Sequence, residues 1–191
     1  MNSATPSPSP KRFHWQHWAI LFGSALTVFT IDQASKAWVT SHLAFGETWA
    51  PVPAIADYFA VTRSANSGAA FSFLPQAGDL FLIIALAMIV GIVVLYPRMA
   101  PGHWWERLAL GLLLGGVSGN ALDRIRLNYV VDFVRLQFRP YISNVSNLAD
   151  HAIVIGIGIL LITQWGSDDS KTATADIPEP SGTNPQNEAG E

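Results

Sequence analysis

Four aspartates, Asp32, Asp123, Asp132 and Asp150, stand where apolar stretches end or begin. They lie in or near the runs Gly119-Asn120-Ala121-Leu122-Asp123-Arg124, Val130-Val131-Asp132-Phe133 and Asn147-Leu148-Ala149-Asp150. Charge deep in hydrocarbon costs roughly 2.5–3.5 kcal/mol on insertion scales, so ionisable groups at the ends of membrane-length segments mark a functional site by default. Two carboxyls a few ångströms apart cannot both ionise, so one pKa rises and the pair shares a proton. The ionised partner can then take a proton from water while the other donates to a scissile carbonyl. Asp132 and Asp150 are the preferred pair. Arg124 adjoins Asp123, and Lys36 follows Asp32 by four residues, so each of those aspartates has a cation to keep it ionised. Other pairings stay open on this ground.

Competing chemistries find less support. The chain has no cysteine, which removes disulfides, thiolate metal sites and a cysteine nucleophile. Ser72 and Ser118 have no histidine or lysine at motif spacing. Asp123, Asp132, Asp150 and His151 are acceptable metal ligands by type, but no H-E-x-x-H or similar spacing holds them. No metal or other cofactor is expected. A net charge of −3 gives no reason to expect a nucleic acid partner.

The elements that must position these groups are apolar helices. The 191 residues are 50% hydrophobic and only 13% charged, which favours a membrane protein of one domain. Residues 1–12, rich in proline and serine, read as a disordered tail. Residues 13–166 form the membrane domain. The first apolar segment runs from Phe13 to Ala37, with His14, Trp15, His17 and Trp18 suited to the headgroup region. It reads as an uncleaved anchor, because the nearest A-x-A site, Ala54-Ile55-Ala56, lies too far beyond it. Asp32 and Lys36 near its end could simply be a local ion pair that eases the helix into the interface.

Leu80 to Tyr96 is the second segment, and Leu108 to Leu122 the third. Gly111, Gly115 and Gly119 repeat every fourth residue in the latter, a face for close helix packing. Asn120, Asp123 and Arg124 gather at its end. Leu148 to Trp165 is the fourth, with Asp150 and His151 in its first turn, where Asn147 and Asp150 also suit plain helix capping. His151 is expected to face away from Asp150, since adjacent residues do not share a helix face. Between the segments, Pro51 and Pro53 exclude an α-helix, and Tyr58 to Arg63 predicts a strand. Asn66-Ser67-Gly68-Ala69-Ala70-Phe71-Ser72 allows a close backbone approach or a tight turn. Tyr129 to Phe138 alternates imperfectly, as a strand would. Residues 167–191 are polar and read as a second disordered tail.

Four spans put both termini on one side. The positive-inside rule does not decide which side over the whole chain: five basic residues would be cytoplasmic and six external. The first helix alone, with Lys11 and Arg12 before it, favours cytoplasmic termini. All the motifs then share the outer face.

Together with Asp32-Gln33-Ala34-Ser35-Lys36 and the Asn66 to Ser72 run, the motifs above resemble, in order, those of bacterial lipoprotein signal peptidase (signal peptidase II). The resemblance covers about residues 15–165. It implies an intramembrane aspartic endopeptidase of the bacterial cytoplasmic membrane, sensitive to globomycin. Such an enzyme cuts prolipoproteins just before their diacylglyceryl-modified cysteine. It implies four transmembrane helices with a small extracytoplasmic β-cradle and a short surface helix. The family's catalytic aspartates fall on Asp132 and Asp150. Asn66, Gly68, Asn120, Asp123, Arg124 and Asn147 match positions that shape or brace its site, and Asp32 and Lys36 match its first motif. Two departures are Ser146, where the family usually has phenylalanine, and His151, where a small residue is common.

The implied partners are prolipoproteins and membrane lipid, and a monomer is expected because one chain holds the whole site. Two other readings remain. A proton-coupled transporter would need acids along a path through the bilayer, yet the middles of the last three segments lack them. A non-enzymatic assembly factor would use the glycine face and not the aspartates.

Overall fold

The computed structural model describes residues 15–68, 77–98, 103–138 and 142–172. Both expected tails and residues 69–72 of the asparagine–glycine run lie largely or wholly outside them. Among the described residues there are four α-helices: α1 (Trp15–His42), α2 (Ala77–Leu95), α3 (Trp104–Leu127) and α4 (Leu148–Thr172). Each runs beyond at least one predicted end. α1 continues five residues past Ala37, and α4 seven residues past Trp165. Hydropathy locates the greasy middle of a helix, while its backbone hydrogen bonding can continue into polar residues on either side.

Among the described residues, one helical stretch, Gly78–Arg98, is long and apolar enough to cross a membrane by length and composition alone. α1 and α3 give part of their length to buried polar groups, Asp32 and Lys36 in one, Asn120 and Asp123 in the other. Ile83 and Val90 on α2, and Val154 and Ile162 on α4, are exposed, an outer surface suited to hydrocarbon.

α3 is the central helix and packs on the other three. Its glycines make this possible. An added Cβ at Gly111 would collide with the Ser24 hydroxyl, and one at Gly115 would sit 2.5 Å from the Ala25 carbonyl of α1. Gly116 does the same for α4, with the Ala149 carbonyl 2.6 Å from its would-be Cβ. The predicted glycine face therefore meets α1, and Gly116 on another side meets α4. Leu21, Leu110, Leu113 and Leu114 fill the seam, capped by Tyr96, whose hydroxyl donates to the His17 carbonyl at 2.8 Å.

A four-stranded antiparallel sheet sits at the C-terminal ends of α1 and α3, in the order β1 (Thr48–Trp49), β2 (Phe59–Asn66), β3 (Val130–Phe138), β4 (Ile142–Ser146). Sequence patterning does not reveal β1 or β4; β1 has only two residues, too few for any alternation to show. β3 is flanked by strands on both sides, and Val130, Val131, Asp132, Phe133 and Val134 are all buried. Burial on both faces explains its imperfect alternation. Phe133 and Val134 pack on Val39 and Leu43, docking the sheet on the end of α1. A bulge opposite Phe133 sets off Thr62 and Arg63, and Arg63 Nη1 donates to the Thr40 and Leu43 carbonyls at 3.0 and 2.9 Å. Where a surface helix is expected, the described part of 40–78 holds a single 3-10 turn, Pro53–Ile55.

Candidate active site

Asp132 lies on β3 and Asp150 in the first turn of α4, and the strand pairing with the helix packing brings them to one place. Asp132 is 2% exposed. Its Oδ1 accepts from Asn147 Nδ2 at 2.7 Å and its Oδ2 from Asn66 Nδ2 at 3.0 Å. Burial pushes the Asp132 carboxyl from an ordinary 3.8 up to about 6. The charge of nearby Asp150 acts in the same direction, while the two amide donors and Lys36 oppose it. Asp150 is half-buried, and its Oδ1 accepts from Asn120 Nδ2 at 2.7 Å.

Each of the three asparagines has its carbonyl oxygen held by another donor, so that its NH2 faces a carboxylate. Asn66 Oδ1 accepts from the Gly68 N–H at 3.0 Å, and Gly68 adopts φ +80°, a backbone conformation that favours glycine. Asn147 Oδ1 accepts from the Asp150 N–H at 2.9 Å, capping α4 while its other end serves Asp132. Asn120 Oδ1 accepts from Lys36 Nζ at 3.0 Å.

The expected i,i+4 pair of Asp32 and Lys36 is present, and it is buried, with Lys36 3% exposed and Asp32 0%. The Lys36 ammonium contacts Asp32 Oδ2 at 2.8 Å, Asp123 Oδ2 at 2.9 Å and the Asn120 oxygen, one acceptor for each N–H. Asp123 is therefore paired with Lys36, 87 residues away, rather than with its neighbour Arg124. The two carboxylates reach onward to backbone. Asp32 Oδ1 accepts from the Ala149 N–H at 3.1 Å, beside Asp150, and Asp123 Oδ2 from the Val131 N–H at 3.1 Å, beside Asp132. Gly119 admits Asp32, whose Oδ2 lies 2.5 Å from where a Cβ would stand.

Arg124 lies within electrostatic reach of Asp150, Asp132 and Asp123, with its guanidinium 5.4 Å from the Phe81 ring centroid. His151 donates from Nδ1 to the Asn147 carbonyl at 2.7 Å. Gln33 joins the site although its sequence position alone assigns it no role. Its Nε2 lies 3.1 Å from Asp123 Oδ1, 3.2 Å from Asp32 Oδ2 and 3.3 Å from the Gly119 carbonyl. An amide one residue from a buried carboxylate is the available signal. A cavity of about 240 Å3 lies beside this cluster, lined by Gln33, Lys36, Arg63, Asp123, Arg126 and Tyr129 among others, and the two aspartates of the pair are not part of its wall. Among the described residues no group of three or more His, Asp or Glu is arranged to hold a metal ion. No buried side-chain nitrogen or oxygen among them lacks a partner.

The profile of the family described as Signal peptidase (SPase) II matches residues 24–165. A lipoprotein signal peptidase of Streptococcus pyogenes serotype M1 is 35% identical over 147 residues, 76% of this chain and 93% of that protein. Its counterpart in serotype M2 matches to the same extent. A bacterial membrane enzyme solved by the in meso method at 1.9 Å superposes with a TM-score of 0.69 at 26% identity, covering 80% of this chain and 94% of the other. A second, at 2.3 Å, has a TM-score of 0.67 at 24% identity, which is a likeness of fold. With the profile spanning most of the chain and the relatives matched nearly end to end, this protein belongs to the signal peptidase II family.

Proposed function

We propose that the chain is an aspartic endopeptidase that works in the bacterial inner membrane, removing signal peptides from prolipoproteins by cutting before the diacylglyceryl-modified cysteine. Asp132 and Asp150 are the catalytic pair. Asp132, the more buried, carries the shared proton and donates it to the scissile carbonyl; Asp150 takes a proton from the attacking water. The collapsing tetrahedral intermediate expels the cysteine's amino group, which leaves with a proton from the pair. Asn66, Asn120 and Asn147 hold the carboxylates in place, Gly68 and Asp123 fix their supports, and Arg124 balances their charge.

One observation carries this reading: a single asparagine, Asn147, donates to the Asp132 carboxylate and accepts from the Asp150 N–H, while Asn66 and Asn120 each donate to one member of the pair. In the same proposal all four helices span the bilayer, both termini are cytoplasmic, and the sheet lies at the outer face. Residues 13–166 form the membrane peptidase domain, acting as a monomer. A signal peptide is an apolar helix, and two acyl chains contribute about 0.8 kcal/mol per buried CH2, so the lipid holds the scissile bond at the depth of the helix ends. The test is incubation of purified protein with a diacylated prolipoprotein, with and without globomycin, followed on a gel. Cleavage blocked by globomycin and absent from Asp132→Asn and Asp150→Asn is expected. Undiminished cleavage by either variant overturns the catalytic pair.

A further inference from the structure

We infer that Lys36 is a positioning residue, its ammonium orienting the Asn120 amide so that Nδ2 rather than Oδ1 meets Asp150. The inference rests on the reading of Asp132 and Asp150 as the catalytic pair and assigns how one of them is held. A side-chain amide has two nearly isosteric ends, and only its partners decide which way it points. At Asn120 the partners are opposite in kind. Lys36 Nζ, a pure donor, stands 3.0 Å from one end, and the Asp150 carboxylate 2.7 Å from the other. A flipped amide would set N–H against ammonium and oxygen against carboxylate, losing two charge-assisted hydrogen bonds at a residue 7% exposed.

At Asn66 and Asn147 a backbone N–H does this orienting work. Asn120 has a side chain instead, brought from α1 across to α3. The same ammonium holds Asp32 and Asp123, which grip the backbone N–H groups of Ala149 and Val131, each one residue before a member of the pair. Lys36 is in hydrogen-bond contact with neither catalytic carboxylate; it holds Asn120, Asp32 and Asp123, and its charge also reaches Asp132 through space.

The test is a double-mutant cycle on the purified full chain with diacylated prolipoprotein, reading kcat and KM separately. Asn120→Ala and Lys36→Met should each lower kcat up to about 100-fold, the cost of a misplaced catalytic group, with KM within about twofold, a split that loosened packing would not produce. The double variant should be no worse than the poorer single variant, because both break one chain of contacts. Wild-type kcat in either single variant, or a double variant at the product of the two losses, overturns the inference. Should Lys36→Met not fold, Lys36→Gln replaces it, an amide that can turn either end to Asn120 and so no longer fixes which way Asn120 points; wild-type kcat in Lys36→Gln overturns the inference. Asp132→Asn and Asp150→Asn run alongside. If they are inactive and the Lys36 and Asn120 variants are not, only this inference fails. If they too cleave normally, the catalytic pair itself fails.

Discussion

Asp132 and Asp150 are alike in chemistry and unlike in how they are held. Asp132 sits on a strand covered on both faces, and both of its oxygens meet amides whose far ends are tied to backbone. Asp150 sits in the first turn of a helix, half-buried, and its amide partner is tied to a lysine from a third element. The surroundings of Asp132 are set by a turn and a helix cap, devices of a few residues each. Those of Asp150 depend on α1, α3 and α4 packing correctly. Both carboxylates meet amides from other elements, but those facing Asp132 are oriented by local backbone geometry and the one facing Asp150 by a side chain from another helix.

That contrast can be broken most severely by removing the carboxylates. Asp132→Asn and Asp150→Asn should each lower kcat by at least about 10³-fold, within the range for loss of acid–base help, while the protein still accumulates in the membrane. Equal losses would show that the two modes of support serve one catalytic unit.

Next come the amides. Asn147→Ala removes a donor to Asp132 and the cap of α4 together. It should cut kcat about 100-fold and lower stability by about 1–2 kcal/mol, measured by thermal unfolding in detergent. Asn66 is exposed, so Asn66→Ala should slow cleavage yet leave stability within about 0.5 kcal/mol. If Asn66→Ala were as destabilising as Asn147→Ala, the two donors to Asp132 would not be separable.

A pH series sharpens the burial difference. The Asp132 carboxyl is raised to about 6 from an ordinary 3.8. The folded state therefore binds more protons than the unfolded one between those values. The stability from this group is fully present below about 3.8 and lost as pH rises through about 6. Thermal unfolding temperature should fall between pH 4 and 7, and Asp132→Asn should flatten that slope. kcat/KM should decline on the alkaline side as the shared proton leaves, an apparent value belonging to the pair.

A pair of glycines separates packing from chemistry, with no effect on kcat expected from the second. Gly119→Ala places a methyl group 2.5 Å from the Asp32 carboxylate and should cost about 1–3 kcal/mol. Gly23→Ala meets nothing within 4 Å, and its unfolding temperature should stay the same or rise slightly.

Much of this is legible in the residues. Helical spacing places Asp32 with Lys36, and Asn120 with Asp123, because partners three or four apart share a helix face. The glycine repeat announces a close helix neighbour. What spacing cannot give is the partner across the fold. Arg124 adjoins Asp123 in the chain, but neighbouring residues on a helix diverge, and the pairing goes to a lysine on α1. Asn147 looks like a cap and also serves Asp132; a local signal reports the local role and is silent about the other end of the side chain. β4 has only five residues, too few for a period to stand out.

The hydrogen bond from the Ala149 N–H to Asp32 makes a side chain of one helix the end-stop of another. α4 cannot slide along its axis or turn about it without leaving that carboxylate behind, together with the lysine that neutralises it. Chimaeras between this protein and its relatives should therefore exchange the first and last helices as a set. A transplanted α4 that arrives without its matching α1 would keep every residue of its own sequence and still lose its depth.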